Sequence, residues 1–263
     1  MTMGATASVL DTLGAVTLLA WTVAMWAAVA VLAYANRGPV RPWVYRTAAA
    51  QIFLGVVGQL GHLQEHIAQV GYWVVNPNAP AWMTPWGTGL ADGFGQIDHS
   101  KPSLGMEILH FAGNLLFLAG IVGVMLITQR AVRSKARTWA KMGVWMQGIH
   151  GLEHFVLMLT VWLGAPRAIG MSTWFGLLEP GPGLWTYRVW WHFAANVVGS
   201  VVFAIAVYHL WRERGRIASA YQPASTTGNE PHTNQRSPVA SRNSEVPPSR
   251  SAETPAPTGA AQR

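Results

Sequence analysis

The residues of this sequence that are best suited to chemistry belong to two copies of one pattern, H-x-x-E-H. The copies span His62–His66 and His150–His154. Histidine and glutamate side chains act as metal ligands and as general acids or bases. Because residues three and four apart share one face of an α-helix, each copy would present its two imidazoles and its carboxylate together.

The pattern is part of a longer internal repeat. The segment Gly55–His66 (GVVGQLGHLQEH) aligns without gaps with Gly143–His154 (GVWMQGIHGLEH). The element HFAGN, which begins at His110, likewise recurs as HFAAN, which begins at His192. Since both elements recur in the same order and at similar spacing, the sequence predicts a duplicated helical hairpin.

The helices that must position these residues are strongly apolar. The chain is 51% hydrophobic and 11% charged, whereas globular proteins carry about 25% charged residues. Stretches of this length and composition cross a bilayer core of about 30 Å at 1.5 Å per helical residue. The predicted spans are approximately Leu13–Ala35, Thr47–Val75, Ser103–Thr128, Trp139–Gly164 and Leu184–Trp211. The predicted fold is therefore an all-α integral membrane protein with five transmembrane helices, four of them forming a pseudo-two-fold bundle from the duplicated hairpin.

Basic residues follow the first, third and fifth predicted spans. The positive-inside rule then predicts a multi-pass plasma-membrane protein with an outer N-terminus and a cytoplasmic C-terminus. The predicted segments are an N-terminal helix with a basic loop (1–46), repeat 1 (47–128) with a long outer loop (76–102), repeat 2 (129–216) and a disordered tail (217–263). The outer loop is rich in Gly, Pro and Trp, and it is either a cap over the bundle or a mobile surface loop.

Composition also excludes several functions. The chain has no cysteine, so disulfides, thiolate metal sites and cysteine nucleophiles are absent. The basic residues behind the net charge of +7 lie in short loops and the tail. This is where membrane proteins carry basic residues on their cytoplasmic side, so the charge does not indicate a nucleic-acid partner.

The polar residues of the four repeat helices are predicted to lie in one layer, roughly 10–20 Å below the outer end of each span. Ionisable groups at such depth are costly and need a partner, and a pair of metal ions would supply one. The predicted ligands form two sets of three histidines and one glutamate, drawn from His62, Glu65, His66, His110, His150, Glu153, His154 and His192. The predicted supporting groups, which would orient the imidazoles, are Gln59, Gln147, Asn114 and Asn196. The alternative is that these histidines and glutamates only pair with one another and hold the helices together.

Two further charged residues lie one turn before the second element of each repeat. Glu107 precedes His110, and Arg188 precedes His192. Neither residue has a counterpart of the same type in the other repeat. They are predicted to bind a substrate group or to relay protons.

The arrangement resembles two groups of metalloproteins. Inward histidines and carboxylates on four helices resemble the site of ferritin-like di-iron proteins. The spacing of His62/His66 and of His150/His154 resembles the histidine clusters of membrane desaturases and hydroxylases, although these histidines are fewer and lie within the spans. There is also a similarity to small membrane oxygenases of bacterial natural-product pathways, including those that form azoxy groups by N-oxidation.

These resemblances imply a membrane-embedded dinuclear oxidase or oxygenase of the non-haem di-iron type. Its cofactor would be two metal ions, iron in the first place, with copper, zinc or manganese as alternatives. It would use O₂ to oxidise a lipophilic or small organic substrate. The electrons would come from a separate reductase, because the sequence has no flavin or iron–sulfur motif.

Three other functions remain open at the level of sequence. Paired histidines on neighbouring helices can ligate b-type haem for electron transfer. The H-x-x-E-H pattern is also the motif of one group of zinc hydrolases, with the glutamate as general base. Parallel repeats with a site near the midplane occur in transporters, which makes a metal transporter the third alternative.

Overall fold

The computed structural model describes residues 7–77, 79–80 and 82–222 of the chain. Within these residues the chain is helical and contains no strand, which confirms the predicted all-α class. The elements are α1 (Val9–Ala35), α2 (Pro42–Val75), α3 (Pro85–Gly95), α4 (Leu104–Ile127), α5 (Lys135–Trp162), a short 3₁₀ helix (Met171–Gly176) and α6 (Pro182–Ser219).

The helix starts follow from ordinary capping chemistry. The Ser8 and Asp11 side chains form a reciprocal capping box at the start of α1. Thr84 and Ser134 accept a backbone N–H from the first turns of α3 and α5. Proline begins α2, α3 and α6, where its missing N–H costs no hydrogen bond.

Helix α4 is the central element of the fold. It packs against α2 and α5 along most of its length and also contacts α1 and α3. The contacts of α6 with α5 and α2 close a ring of four helices, which are the helices that carry the internal repeat. Helices α1 and α3 pack on one side of this ring, against each other and against α4.

Glycines allow the closest of these contacts, between α2 and α4. A methyl group built on Gly55 would lie 2.5 Å from Cα of Gly120, and one built on Gly120 would lie 2.7 Å from Cα of Gly55. Small residues of this kind let two helix backbones approach closely, which is the usual way that helices associate in membranes. Gly55 stands at the start of the repeated segment, so this contact sets the distance between the helices that carry His62 and His110.

Among the described helices, three are long and apolar enough to cross a membrane. They are α1, α4 and α6. Helices α2 and α5, with 34 and 28 residues, are long enough to cross a membrane but are not apolar enough to be counted with these three. These two helices carry the H-x-x-E-H patterns, whose polar residues lie inside the bundle.

The connection between α2 and α4 is not a free surface loop. Helix α3 occupies much of it and packs against α1 and α4, with Phe94 buried between them. Of the two predictions for this loop, the mobile one is therefore wrong for residues 85–95, because Phe94 packs with Ala15 and Leu109 in a small apolar core.

The predicted start of the disordered tail, at residue 217, is also wrong. Helix α6 continues to Ser219, and both Ile217 and Tyr221 are buried. The Tyr221 hydroxyl donates to the Asn36 side-chain oxygen at 2.9 Å, which ties the end of α6 to the end of α1. The rest of the predicted tail, residues 223–263, lies outside the described residues.

The glycine contact generates the first prediction. Replacing Gly55 with alanine should force α2 and α4 apart and lower the free energy of unfolding by about 1–3 kcal/mol, the usual cost of overpacking. Gly71, on the same helix, has open space around its Cβ position. Gly71→Ala should therefore leave the thermal unfolding midpoint in detergent unchanged or slightly raised. Equal midpoints for the two variants would contradict this role of the contact.

Candidate functional site

The six histidines of the repeat converge inside the ring of four helices. Centroids of neighbouring imidazole rings lie 4.7 to 6.1 Å apart. Helices α2 and α5 contribute two rings each, and α4 and α6 contribute one each. The rings belong to His62, His66, His110, His150, His154 and His192.

Each repeat supplies three of these rings, and the three lie close to one another. We call His62, His66 and His110 the first triad; its centroid distances are 4.7, 5.8 and 6.1 Å. The second triad comprises His150, His154 and His192, with distances of 4.8, 5.0 and 6.0 Å. The duplicated sequence thus produces two similar clusters of three imidazoles.

The triads are also in contact with each other. His66 stacks on His192 with centroids 5.8 Å apart, and His110 stacks on His154 with centroids 5.4 Å apart. Each stacked pair joins one ring of the first triad to one ring of the second. The six imidazoles therefore form a single cluster.

Backbone carbonyls fix the tautomer of two rings in matching ways. Nδ1 of His110 lies 2.8 Å from the Met106 carbonyl oxygen, and Nδ1 of His192 lies 2.7 Å from the Arg188 carbonyl oxygen. A carbonyl can only accept, so each Nδ1 carries the proton and donates. The lone pair of each ring is then on Nε2, and Nε2 of His192 is buried without a partner.

The first triad contains a close contact between two ring nitrogens. Nε2 of His66 lies 3.1 Å from Nε2 of His62. Nδ1 of His66 lies 3.0 Å from the side-chain oxygen of Gln69 and therefore donates to it. The Nε2 lone pair of His66 consequently points at His62.

The second triad has more nitrogens without partners. Nε2 of His150 and both ring nitrogens of His154 are buried and make no hydrogen bond. The unpaired Nδ1 of His154 follows from a departure from the repeat. Gln69, which binds His66, corresponds to Leu157, and leucine cannot accept a hydrogen bond from His154.

The two glutamates hold the connections that follow their helices. Glu65 accepts from the backbone N–H of Thr84 at 2.9 Å, from the Thr84 hydroxyl and from the Gln69 amide. Glu153 accepts from the backbone N–H groups of Met171 and Ser172, both at 2.8 Å. Every oxygen of both carboxylates is engaged, so the geometry gives no support to their predicted role as ligands.

The spacing of these carboxylate contacts is itself duplicated. Thr84 follows Glu65 by 19 residues, and Ser172 follows Glu153 by 19 residues. Each contact lies at the start of a short helix, where free N–H groups favour an anion. The recurrence of a hydroxyl residue at this distance is a signal in the sequence that could have identified the anchors.

The amide side chains predicted to orient the imidazoles do not touch the rings. The Gln59 amide donates to Asn196 at 3.4 Å, and the Gln147 amide donates to Asn114 at 2.5 Å. Each asparagine in turn donates to the backbone carbonyl of the histidine one turn before it, His110 or His192. The four amides thus join helices of different repeats, while the Met106 and Arg188 carbonyls orient the rings.

Glu107 and Arg188, which have no same-type counterparts in the sequence, pair with each other. The Glu107 carboxylate and the Arg188 guanidinium are 3.0 Å apart. Glu107 is fully buried, and one of its oxygens has no partner. This ion pair links α4 to α6 next to the histidine cluster.

The remaining histidines and acids of the described chain are not part of the cluster. Asp98, in the connection before α4, accepts from the Ser100 hydroxyl at 2.6 Å and pairs with Lys101 at 3.0 Å. The Ser100 hydrogen bond lowers the pKa of the Asp98 carboxyl to about 2. His209 contacts the Tyr208 ring far along α6.

Comparison with known proteins places the chain in a family but does not describe its activity. Residues 1–244 match DUF6008, a family of unknown function. The chain belongs to this family. No curated protein and no solved structure matches it.

Imidazole nitrogens, such as those clustered in this DUF6008 chain, are a type of donor that suits metal ions. The side chains of the cluster are not arranged around an ion. In the part of the chain that the structure describes, no group of three or more His, Asp or Glu side chains has the geometry to hold a metal ion. The cluster contains ring nitrogens that make no hydrogen bond. Such nitrogens of His150, His154 and His192 are buried. Buried polar groups are otherwise almost always satisfied.

The carboxylate anchors generate the second prediction. Glu153→Gln should weaken the contacts with Met171 and Ser172 by about 1.5–3 kcal/mol, since hydrogen bonds to a charged acceptor are lost. Hydrogen exchange of the peptide around these residues should then be roughly tenfold faster or more.

Glu179→Gln is the matched control, because this residue is in the same connection and its side chain is 87% exposed. It should leave hydrogen exchange as in the unmodified protein. Unchanged exchange in Glu153→Gln would contradict the anchoring role.

Proposed function

We propose that this chain is a membrane-embedded oxidase or oxygenase whose six histidines hold two metal ions and that acts on a lipophilic substrate. The observation that carries the proposal is the cluster of six imidazoles, in which the Nε2 atoms of His150, His154 and His192 are buried without hydrogen-bond partners. Leaving such a group unsatisfied costs about 1–3 kcal/mol, so a cluster held only for helix packing would be unfavourable. Metal ions bound by these nitrogens would remove that cost.

The distances within a triad support this role. Two nitrogens bound to one ion at about 2.0–2.1 Å, with an angle of about 100° between them, lie about 3.1–3.2 Å apart. Nε2 of His62 and Nε2 of His66 are 3.1 Å apart. To complete a three-nitrogen site, the His110 ring, whose centroid lies 6.1 and 5.8 Å from those of His62 and His66, would have to rotate toward this pair.

The donor set narrows the choice of metal. With both carboxylates engaged by the connections, each triad offers imidazole nitrogens only. Imidazole suits iron, copper and zinc, whereas manganese prefers oxygen ligands. Iron or copper would supply the redox chemistry of O₂.

The residues of the chain would hold and shield the ions during the reaction. The Met106 and Arg188 carbonyls would keep Nε2 of His110 and His192 directed at the ions. An oxygenation of this type consumes one O₂, two electrons and two protons; it places one oxygen atom in a C–H or N–H bond of the substrate and releases the other as water. A separate reductase would deliver the electrons.

The same geometry argues against the haem and hydrolase alternatives. Stacked imidazoles with centroids 5.4 and 5.8 Å apart lie across the centre of the cluster, where a porphyrin would need to insert. In a zinc hydrolase the glutamate of H-x-x-E-H acts as general base. Glu65 and Glu153 are instead bound by the N–H groups of the connections.

We further propose that α2 and α5 also cross the membrane, which gives five spans. Helix α2 exposes a row of large apolar side chains at seven-residue intervals, on the face opposite its histidines: Phe53, Leu60, Ile67 and Val74. Helix α5 exposes Trp145, Ile149 and Leu152 in the same way. An apolar outer face around a polar interior is the arrangement expected of helices in lipid.

Contacts between the basic segments support the proposed orientation. The Arg130 guanidinium, after α4, donates to the Asn36 carbonyl at 3.0 Å, and Asn36 follows α1. The Lys135 N–H, at the start of α5, donates to Glu213 near the end of α6 at 2.9 Å. The basic segments after α1, α4 and α6 therefore share one end of the bundle, which we place in the cytoplasm, with the N-terminus outside.

The metal centre generates the third prediction. Elemental analysis of detergent-purified protein should give about two iron or copper ions per chain. His66→Ala and His154→Ala should each remove roughly one ion or more, because each variant deletes a ligand of one triad. O₂ consumption with a chemical reductant should fall with the metal content.

His209→Ala is the control, because His209 is on α6 but outside the cluster. It should retain full metal content. Three results would overturn the proposal: full metal content in both triad variants, a Soret band that shifts on reduction, or zinc as the sole metal with no O₂ consumption.

A further inference from the structure

An apolar cavity opens directly onto the first triad. It has a volume of about 390 Å³ and lies between α1, α2, α3 and α4. His62, His66 and His110 line it together with large apolar side chains such as Leu18, Trp21, Met83, Trp86 and Leu90. The cavity is near the lower limit of the usual range of ligand pockets, about 300–1,000 Å³.

Glycines make room for this cavity on the helices that carry the triad. Gly58, Gly61 and Gly113 line it. A methyl group at Gly61 would have no heavy atom within 4 Å, so the space beside this residue is open. A methyl group at Gly113 would lie 3.0 Å from Nδ1 of His62, so the backbone at Gly113 packs closely against this imidazole.

The equivalent surface of the second repeat differs in its side chains. The positions of Gly58, Gly61 and Gly113 are occupied there by Met146, Ile149 and Ala195. A smaller hollow of about 310 Å³ lies at this place beside His150, between α5 and α6. Larger residues thus reduce the space next to the second triad.

The two surfaces also differ in their cover. Helix α1, which stands outside the repeat, and α3, in the connection after α2, close the cavity of the first triad with Leu18, Trp21 and Leu90. Among the described elements, only α5 and α6 line the second hollow. The two triads therefore have different surroundings, and the first of them faces a covered apolar cavity.

The lining determines the chemical class of ligand. Among the described residues, no lysine or arginine lines the cavity. The one acidic residue in this described lining, Glu65, has both oxygens engaged by Thr84 and Gln69. The described side chains around the apolar part of the cavity therefore offer no free partner to a charged group, and desolvation of a charge without a partner is costly.

We propose that this cavity is the substrate site and binds an uncharged, lipophilic organic molecule. The group to be oxidised lies at the end formed by His62 and His110, and the apolar remainder lies between Trp21 and Trp86. The assignment as a substrate site rests on the proposed function, whereas the binding of a neutral apolar ligand does not depend on it. The second triad serves the metal centre without binding substrate.

The test uses N-phenyl-1-naphthylamine, a neutral apolar fluorophore, with the full chain in lipid nanodiscs. We expect saturable binding beyond the signal of empty nanodiscs. Gly61→Leu should fill the cavity and weaken binding by roughly tenfold or more, equivalent to about 1.4 kcal/mol. Trp86→Ala, which removes an aromatic wall, should also weaken it.

Gly71→Leu is the matched control, because it adds the same side chain on α2 at a position with equally open space that does not line the cavity. It should bind the probe as the unmodified protein does. Decanol should displace the probe, and decyltrimethylammonium should compete at least roughly tenfold less well, because the described lining residues offer a cation no free carboxylate.

Metal content measured on the same samples separates the two proposals. Absence of metal with binding that still depends on Gly61 would overturn the proposed function and leave the ligand site standing. The ligand site would be overturned by non-saturable binding, by equal binding in Gly61→Leu and Gly71→Leu, or by equal competition from decanol and decyltrimethylammonium.

Discussion

The structure depends on how imidazole nitrogens are satisfied where water is scarce. Four of the six clustered histidines are buried, and the other two, His62 and His110, are half-buried where they border the cavity. The helix backbone satisfies Nδ1 of His110 and His192, but it cannot reach the nitrogen on the far side of each ring. The cluster therefore needs a partner at its centre, and we assign that partner to metal ions.

The rest of the bundle holds the imidazoles at fixed separations. The contact of Gly55 with Gly120 brings α2 and α4 together, and the amide pairs join α2 to α6 and α5 to α4. Glu65 and Glu153 fix the connections that follow α2 and α5. Each carboxylate accepts hydrogen bonds from backbone N–H groups 18 or 19 residues further along the chain. A polar interior surrounded by apolar helix faces is thus held together by hydrogen bonds that lipid cannot replace.

Some features of this protein are the same in both repeats, and others differ between them. The imidazoles, their carbonyl partners and the carboxylate anchors recur in both repeats with similar distances. The surroundings do not recur, because α1 and α3 cover only the first triad and Gly61 is replaced by Ile149 in the second. In the function that we propose, symmetric chemistry at the metal ions is combined with an asymmetric site for the substrate.

The sequence by itself determined the helical class, the repeat and the convergence of six histidines, because the helical period places His62 beside His66 and apolar surroundings force polar groups inward. The tertiary structure decided which partner each polar group has. Glu65 shares a helix face with these histidines, yet Thr84 binds it, and the path of the connection that brings Thr84 there is not encoded in helical periodicity. The pairing of Glu107 with Arg188 and the cavity beneath α1 and α3 likewise depend on contacts between distant segments, which spacing along one helix cannot specify.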